Sequence, residues 1–396
     1  MNHEINALKN NNTFDVVNKP IGRNIVGSKW VFKTKKNADG TLERFRARAV
    51  AQGFSQAAGF DFEDTFAPVI RYESVRLLIA ICARNKWRPR QFDVQSTFLY
   101  GKLKEAVYMR PPPGFSDGDK VWKLNRCIYG LKQSENKWYA LFAQFLTSKD
   151  FTVSHQNPCM FIHNKFECYI SLYVDDIAIY SADTPHLTTL IKDLKTAFEI
   201  SDLGEASFLL GLDITYTSDG IALTQERYIG TILSRFGMEN SNTVSIPVPK
   251  GITLTKGITE QPKEQVTTYQ SMIGSLMYLV TSTRPDLAYT ILFLAQFSSC
   301  PTDEHIKAAK HLFRYVNEQE TLAYFTRTQQ RTLSMFMLML TLLAVMIPED
   351  PPPVTLFYSI TVVSPSSQRN KPLSPNQLPK QNSWPCPTVP LIFDGI

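Results

Sequence analysis

Length and charge set the first limits on this chain. Its 396 residues are enough for two or three domains, and its formal net charge of +6 is basic without being extreme. The six cysteines are scattered and form no C-x-x-C pair, which argues against a structural zinc site and favours a reducing, intracellular setting. The N-terminus lacks an apolar signal core, and the longest apolar run, 335–346, is too short to span a bilayer, so we expect neither secretion nor a membrane partner.

The first stretch of the chain, to about residue 203, mixes strand-like and helical runs, as an α+β domain does. "GSKWVFKTKKNADGTLERFRARAVAQGF" predicts a hairpin turned at Asp39-Gly40. "YESVRLLIAICARNKW" and "NKWYALFAQFLTSKDF" have the apolar spacing of helices. "QFDVQSTFLYG" predicts a strand that turns at Gly101. "YISLYVDDIAIYS" predicts a buried hairpin with two adjacent aspartates at its tip.

The second stretch runs from about residue 204 to 329. "ASFLLGLDITYTSDGIALTQ" predicts a hairpin turned at Asp219-Gly220. "TTYQSMIGSLMYLVTST" and "TDEHIKAAKHLFRYV" predict helices, the second with Thr302 or Asp303 as its N-cap. The remainder, 330–396, contains eleven of the 24 prolines and shows no helical or alternating period, so we expect a disordered tail.

Positive charge is concentrated in residues 29–48. This segment carries seven Lys or Arg residues against two acidic ones. A concentrated basic patch is typical of a surface that binds phosphates. A solvated hairpin face is the alternative interpretation of the same pattern.

The adjacent aspartates Asp175 and Asp176 carry the strongest chemical signal. A turn is one interpretation, because Asp is common in turns. The apolar runs on both sides would bury the hairpin, however, and two buried carboxylates repel each other unless a cation lies between them. Asp93, between apolar Phe92 and Val94, offers a third carboxylate. Together the three could hold two Mg²⁺ ions about 3.5–4 Å apart, the arrangement of an in-line phosphoryl transfer.

An ordered series of motifs adds a family resemblance to this interpretation. It comprises "WVFKTK", "ERFRARAVAQGFSQ", "GFDFEDTFAPV", "FDVQSTFLYGKL", "KLNRCIYGLKQS", "YVDD", "FLLGLDI" and "IGSLMYLVTSTRPDLAY". Over residues 4–327 the chain closely resembles the reverse transcriptase of copia-type LTR retrotransposons. The resemblance implies an α+β, right-hand polymerase, with fingers and palm in 1–203 and a primer-grip hairpin and thumb-like helical region in 204–329. It also implies an RNA-directed DNA polymerase that extends a primer 3′-OH.

The resemblance assigns roles to individual residues and partners. Asp93, Asp175 and Asp176, with the Val94 carbonyl, would be the ligands of two Mg²⁺ ions, for which Mn²⁺ could substitute. The nucleotide-binding assignments are Arg46 and Arg48 on the triphosphate, Phe98 as the steric gate against the 2′-hydroxyl, and Lys132 and Gln133 under the nascent base pair; Leu210 and Gly211 belong to the primer grip. The alternatives are that the two arginines are solvated charges, that Phe98 is an ordinary core ring, and that Gln133 caps a turn. The implied partners are dNTPs and an RNA or DNA template with a DNA or tRNA primer, in a cytoplasmic virus-like particle or the nucleus.

The tail does not follow the family, which continues into an RNase H domain. Back-translated and regrouped by two bases, "MLMLTLLAV" can read A-D-A-D-F-A, and "PSSQRNKP" can read I-E-S-K-K-Q-T. Both resemble blocks of that domain, in the right order and in one frame. We therefore predict that 330–396 is a frameshifted remnant of RNase H. An inactive, truncated element that at most binds nucleic acid is the alternative function; the three aspartates favour the enzyme, and the tail favours the remnant.

Overall fold

The computed structural model describes residues 1–36, 42–248, 252, 254–257, 261–319, 323–327 and 362–363. The predicted tail thus lies outside the described residues, apart from one two-residue strand. The helices are α1 (Asn2–Asn10), α2 (Tyr72–Asn85), α3 (Ser134–Thr147), α4 (Pro185–Ala197), α5 (Glu226–Arg235), α6 (Lys263–Ser282), α7 (Ala288–Ala295) and α8 (Asp303–Glu318). Of the helices in these ranges, none has the length and apolarity that crossing a membrane requires.

The strands fall into four sheets. They are β1 (Phe14–Val17), β2 (Ile25–Val26), β3 (Ser28–Lys36), β4 (Leu42–Ala51), β5 (Arg90–Val94), β6 (Lys102–Met109), β7 (Val121–Arg126), β8 (Phe151–Val153), β9 (Met160–His163), β10 (Cys168–Tyr173), β11 (Asp176–Ser181), β12 (Ile200–Glu205), β13 (Phe208–Leu209), β14 (Leu212–Tyr216), β15 (Gly220–Thr224), β16 (Ala323–Arg327) and β17 (Val362–Val363). The largest, here the central sheet, has six strands in the order β12-β5-β11-β10-β9-β8.

The central sheet is buried on both faces, which explains the continuous apolar runs of its strands. In β11, Ile177 and Ile179 face a core shared with α3 and α4. Ala178 and Tyr180, on the opposite face, join a core shared with α2 and the sheet β13-β14-β15-β16-β17. Alternate residues of a strand point to opposite faces, so the four residues from Ile177 to Tyr180 all meet apolar neighbours. The predicted α+β class is confirmed.

The strand predicted to run to Gly101 is shorter than expected. β5 ends at Val94, and a 3₁₀ turn covers Thr97–Tyr100. Ser96 adopts a left-handed backbone with φ of 50°, and the Thr97 hydroxyl donates to the Val94 carbonyl at 3.0 Å. This local hydrogen bond replaces sheet pairing and ends the strand directly after the Asp93 position.

The basic hairpin forms as predicted. β3 and β4 pair antiparallel along their length, with Val31 opposite Arg48 and Lys33 opposite Arg46. Its turn at Asp39-Gly40 lies outside the described residues. Because residues two apart share a face, Arg46 and Arg48 project from the same side of β4. The base of the hairpin lies beside helix α1 and the sheet β1-β7-β6-β2, which share one core.

Helices α5 to α8 pack around a separate apolar core, here the helical cluster. The predicted N-cap Thr302 does begin α8, in a reciprocal capping arrangement with His305. The domain boundary predicted near residue 203 falls inside β12, an edge strand of the central sheet. The division into domains remains a prediction.

Candidate active site

The three aspartates meet at one end of the central sheet. Asp93 is the next-to-last residue of β5, and its Cα partner across the antiparallel ladder is Asp176, the first residue of β11. Asp175 precedes Asp176 at the hairpin tip, and its carbonyl accepts a hydrogen bond from the Val94 amide at 2.9 Å. Directly opposed residues have close Cβ atoms on the same face of a sheet. The register therefore brings together carboxylates that are far apart in the sequence.

The hairpin tip is held in a strained conformation. Val174 has a φ of 52°, which is rare for a β-branched residue. Its carbonyl accepts a hydrogen bond from the Trp138 indole at 2.6 Å, and Trp138 is a fully buried residue of α3. Together with the Val94–Asp175 bond, this contact fixes the tip from two sides. Strain that surrounding contacts maintain in this way is typical of functional sites.

Negative charge accumulates at this point. Burial raises the pKa of Asp176 to about 6, and the charges of Asp175 and Asp93 add to the effect, while a hydrogen bond with Gln91 opposes it. A group of neighbouring carboxylates favours a cation, and an all-oxygen donor set suits Mg²⁺ or Mn²⁺ rather than zinc. Within the described ranges, no three His, Cys, Asp or Glu side chains lie close enough to hold a metal ion as they stand. The metal assignment therefore remains a prediction.

The two predicted arginines line one small cavity. The cavity, about 20 Å³, is bordered by Arg46, Arg48, Ser96 and Tyr129, and by Glu4 from α1. Burial raises the pKa of Glu4, and the nearby Arg46 and Arg48 charges act against that rise. No pattern in the sequence predicted α1 at this position.

Arg48 is fixed by an aromatic ring that the sequence analysis did not single out. Its Nη2 donates to the Tyr129 hydroxyl at 3.0 Å, and its guanidinium lies 4.1 Å from the Tyr129 ring centroid. The Arg48 Nε is buried and lacks a hydrogen-bond partner among the described atoms. A buried unsatisfied donor on a cation is suited to an anionic ligand. Asp175 lies close enough for its charge to contribute to raising the pKa of Tyr129, which burial raises most.

Phe98 lies deeper than the steric-gate prediction implies. Its side chain is 6% exposed and belongs to the apolar core beneath the central sheet. Its ring meets Tyr129 edge to face, with centroids 4.8 Å apart. Tyr129 thus contacts both Arg48 and Phe98, and links the residue expected at the triphosphate to the one expected at the sugar. The gate role of Phe98 remains a prediction.

Lys132 and Gln133 do not share one environment. Gln133 is fully buried; its amide oxygen accepts from Gln56 at 3.0 Å, and its amide nitrogen donates to the Asp61 carbonyl at 2.8 Å. Both polar ends of Gln133 therefore bind protein groups in this structure. Lys132 is exposed, and its ammonium lies 4.5 Å from the Phe62 ring centroid. Their role under the nascent base pair remains a prediction.

Leu210 and Gly211 form the turn between β13 and β14. Both have positive φ, 53° and 83°, as a two-residue hairpin turn requires. Two tyrosine hydroxyls, from Tyr72 and Tyr278, donate to the Leu210 carbonyl at 2.8 Å and 3.3 Å. The sequence predicted neither contact, because the three segments are distant in the chain. Each tyrosine does lie in a quoted helical run, "YESVRLL" or "GSLMYLV", where helical periodicity alone gave no partner.

Comparisons with known proteins identify the family of this chain. The family described as reverse transcriptase (RNA-dependent DNA polymerase) matches residues 11–250. The retrovirus-related Pol polyprotein from transposon TNT 1-94 of Nicotiana tabacum is 37% identical over 330 residues, covering 80% of this chain and 25% of that protein. The polyprotein from transposon RE1 of Arabidopsis thaliana is 38% identical over 325 residues, covering 80% and 22%.

Among solved structures, a foamy viral protease-reverse transcriptase in complex with dsDNA aligns at a TM-score of 0.43 and 14% identity, covering 83% of this chain and 58% of that one. The chain spans about a quarter of the length of the two transposon polyproteins. The family match covers more than half of the chain and includes all three aspartates. The chain belongs to the reverse transcriptase (RNA-dependent DNA polymerase) family, the nucleotidyltransferases of copia-type retrotransposon polyproteins.

Proposed function

We propose that this chain is the polymerase segment of a retrotransposon polyprotein and extends a primer 3′-OH with dNTPs. Its template would be RNA or DNA, and its primer DNA or tRNA. The observation that carries the proposal is the pairing of Asp93 with Asp176 in adjacent strands, with Asp175 at the same hairpin tip. Carboxylates placed this close repel each other, and a bound cation would relieve that repulsion.

Asp93, Asp175 and Asp176 would hold the two Mg²⁺ ions, with Mn²⁺ as a substitute. The Val94 carbonyl accepts one hydrogen bond, from Thr97, and keeps a second lone pair for a ligand. When bound, such ions neutralise charge on the attacking and leaving oxygens. The chain's own contribution is orientation, since the Trp138 and Val94 contacts hold the hairpin tip at a fixed distance from β5.

Arg46 and Arg48 would bind the triphosphate. Both line the cavity that Ser96 and Tyr129 also border, and the buried Arg48 Nε has no hydrogen-bond partner among the described residues. The Tyr129 ring and hydroxyl restrict Arg48 to one orientation, so less conformational entropy is lost when an anion binds.

Primer extension tests the proposal directly. The purified chain, given a poly(rA)–oligo(dT) substrate, dTTP and Mg²⁺, should lengthen the primer. Asp93→Asn, Asp175→Asn and Asp176→Asn should each abolish extension, because each removes a charge from a group worth several kcal/mol in the transition state. Asp219→Asn, in the exposed β14–β15 turn, is the matched control and should extend normally.

The outcomes separate the two candidate functions. Retained extension in any one of the three site variants contradicts the aspartate assignment. A wild-type chain that binds primer–template but never extends it indicates the inactive remnant instead. Binding is followed by fluorescence anisotropy of a labelled primer, which requires no turnover.

A further inference from the structure

The Leu210–Gly211 turn, the helical cluster and the central-sheet region meet at one polar contact. Tyr72 from α2 and Tyr278 from α6 both donate to the Leu210 carbonyl, and their hydroxyl oxygens lie 2.9 Å apart. Their rings meet edge to face. Tyr72, Tyr278 and Leu210 form what we call the tyrosine joint. It connects helix α2, the turn between β13 and β14, and helix α6 of the helical cluster.

The turn is shaped to fit this joint. Leu210 has a positive φ, an unfavourable conformation for a side chain of this kind, and the two hydroxyls hold its carbonyl in place. Gly211 also has a positive φ, and a Cβ there would collide with the Tyr278 hydroxyl. Glycine is therefore required both for the turn and for the approach of α6.

A second contact repeats the connection one helical turn further along α2. Arg76 donates to the Thr281 and Ser282 carbonyls, at 2.9 Å and 2.7 Å, at the end of α6. These carbonyls are among the unpaired acceptors that end every helix. The link between α2 and α6 is thus made of directional hydrogen bonds, which specify relative position more narrowly than apolar contact does.

We propose that Tyr72 and Tyr278 are positioning residues that fix the Leu210–Gly211 turn to helix α6, so that the helical cluster and the primer terminus move together. The inference rests on the proposed function and on the primer-grip assignment of this turn, which the family resemblance implies. Burial and the neighbouring Tyr278 hydroxyl raise the pKa of Tyr72, so its hydroxyl remains a proton donor through the neutral range. If the joint is lost, the turn keeps its fold but loses its orientation relative to α6.

The test removes single hydroxyls and measures how long primer–template stays bound. Tyr278→Phe and Tyr72→Phe should each raise the dissociation rate of a labelled primer–template about three- to tenfold, the effect of one lost hydrogen bond. The KM for dTTP should change less than about twofold. The dissociation rate of the double variant should be close to that of either single variant, because the two hydroxyls act on one acceptor. Gly211→Ala, which displaces Tyr278 while keeping its hydroxyl, should raise the rate similarly.

Tyr228→Phe is the matched control. The Tyr228 ring lies 4.7 Å from that of Tyr278, but its hydroxyl donates to the Ser275 carbonyl within the helical cluster and not to the turn. Its dissociation rate should equal that of the wild type. Equal rates for Tyr278→Phe and the wild type, or a lower melting temperature as the only change, overturn the proposal. A wild-type chain that binds but does not extend would refute the proposed function and leave this binding comparison intact.

Discussion

At the scale of single residues, Asp176 shows how neighbouring carboxylates lower stability. Its pKa is raised from 3.8 to about 6 by burial and by two neighbouring carboxylates. The unfolded chain therefore releases this proton at lower pH than the folded chain does. As pH rises through this window, the folded state loses stability, and the loss is complete above pH 6.

Asp176→Asn should remove that loss. Without metal, the variant should be more stable than the wild type at pH 7.5 by about 1 kcal/mol, a value reduced from the full shift because the side chain is partly solvated. At pH 4 the two proteins should differ little. Urea unfolding in EDTA at both pH values measures the difference, with Asp219→Asn as the control. A variant that is less stable at pH 7.5 would contradict this account.

Tyr129 contacts both Arg48 and Phe98, so its role follows from these two neighbours. Tyr129→Phe removes the hydrogen bond to Arg48 and keeps the ring contact with Phe98. We expect the KM for dTTP to rise about three- to tenfold with kcat little changed, because the lost bond orients Arg48 before the chemical step. Steady-state extension kinetics measure both constants. A change in kcat alone would place Tyr129 elsewhere in the reaction.

Phe98→Ala should relax the preference for dTTP over UTP, if the ring rejects the 2′-hydroxyl. Because Phe98 lies in the core, the same change should cost about 3–4 kcal/mol of stability. Phe142→Ala is the control: this ring is fully buried in the same core and has no predicted role in substrate binding. It should lose similar stability and leave the kcat/KM ratio unchanged. An unchanged ratio in both variants would identify Phe98 as an ordinary core residue.

At the scale of elements, the basic hairpin is joined to the site through backbone contacts. The Ala51 amide at the end of β4 donates to the Tyr129 carbonyl at 2.8 Å. Gly130 follows with a φ of 92°, and a Cβ there would collide with the Ala51 carbonyl oxygen. This close approach is what aligns Arg48, on β4, with Tyr129.

Gly130→Ala should therefore disrupt the junction and not merely strain it. We expect a loss of more than about 2 kcal/mol, since strain and a backbone collision combine. Gly118→Ala separates the two effects, because Gly118 has a φ of 57° but open space around its Cβ position. That control should lose about 1 kcal/mol. Thermal melting and dTTP binding follow both; equal losses would mean that the close approach contributes nothing.

At the scale of the whole molecule, β16 joins a late segment of the chain to the sheet that β13, β14 and β15 form. It pairs with β15, and its Ala323 is buried, while Tyr324 packs on the core shared with α2. A chain cut after Arg327 keeps these contacts and loses only the two-residue pairing with β17 among the described strands. We expect it to retain primer extension.

A chain cut after Gln319 provides the comparison. It removes β16, exposes the edge of β15 and uncovers apolar surface, so its melting temperature should fall by several degrees. The longer truncation should melt close to the full chain. Loss of folding in the longer truncation would show that residues after Arg327 are structural, contrary to the tail prediction. Sequencing the underlying DNA for the shifted RNase H blocks decides the origin of that tail.

The sequence by itself determined the hairpins and helices with clear patterns, the paired aspartates and the family, because apolar periodicity, turn residues and motif order are properties of neighbouring residues. The end of β5 at Val94 was not predicted from the sequence, because the hydrogen bond that ends the strand depends on the left-handed backbone of Ser96.

Only the tertiary structure decided which distant groups meet: Asp93 opposite Asp176, Arg48 on Tyr129, and Gln133 turned inward. Strand register and side-chain partners depend on how separate segments pack, and a single local pattern is compatible with many such packings.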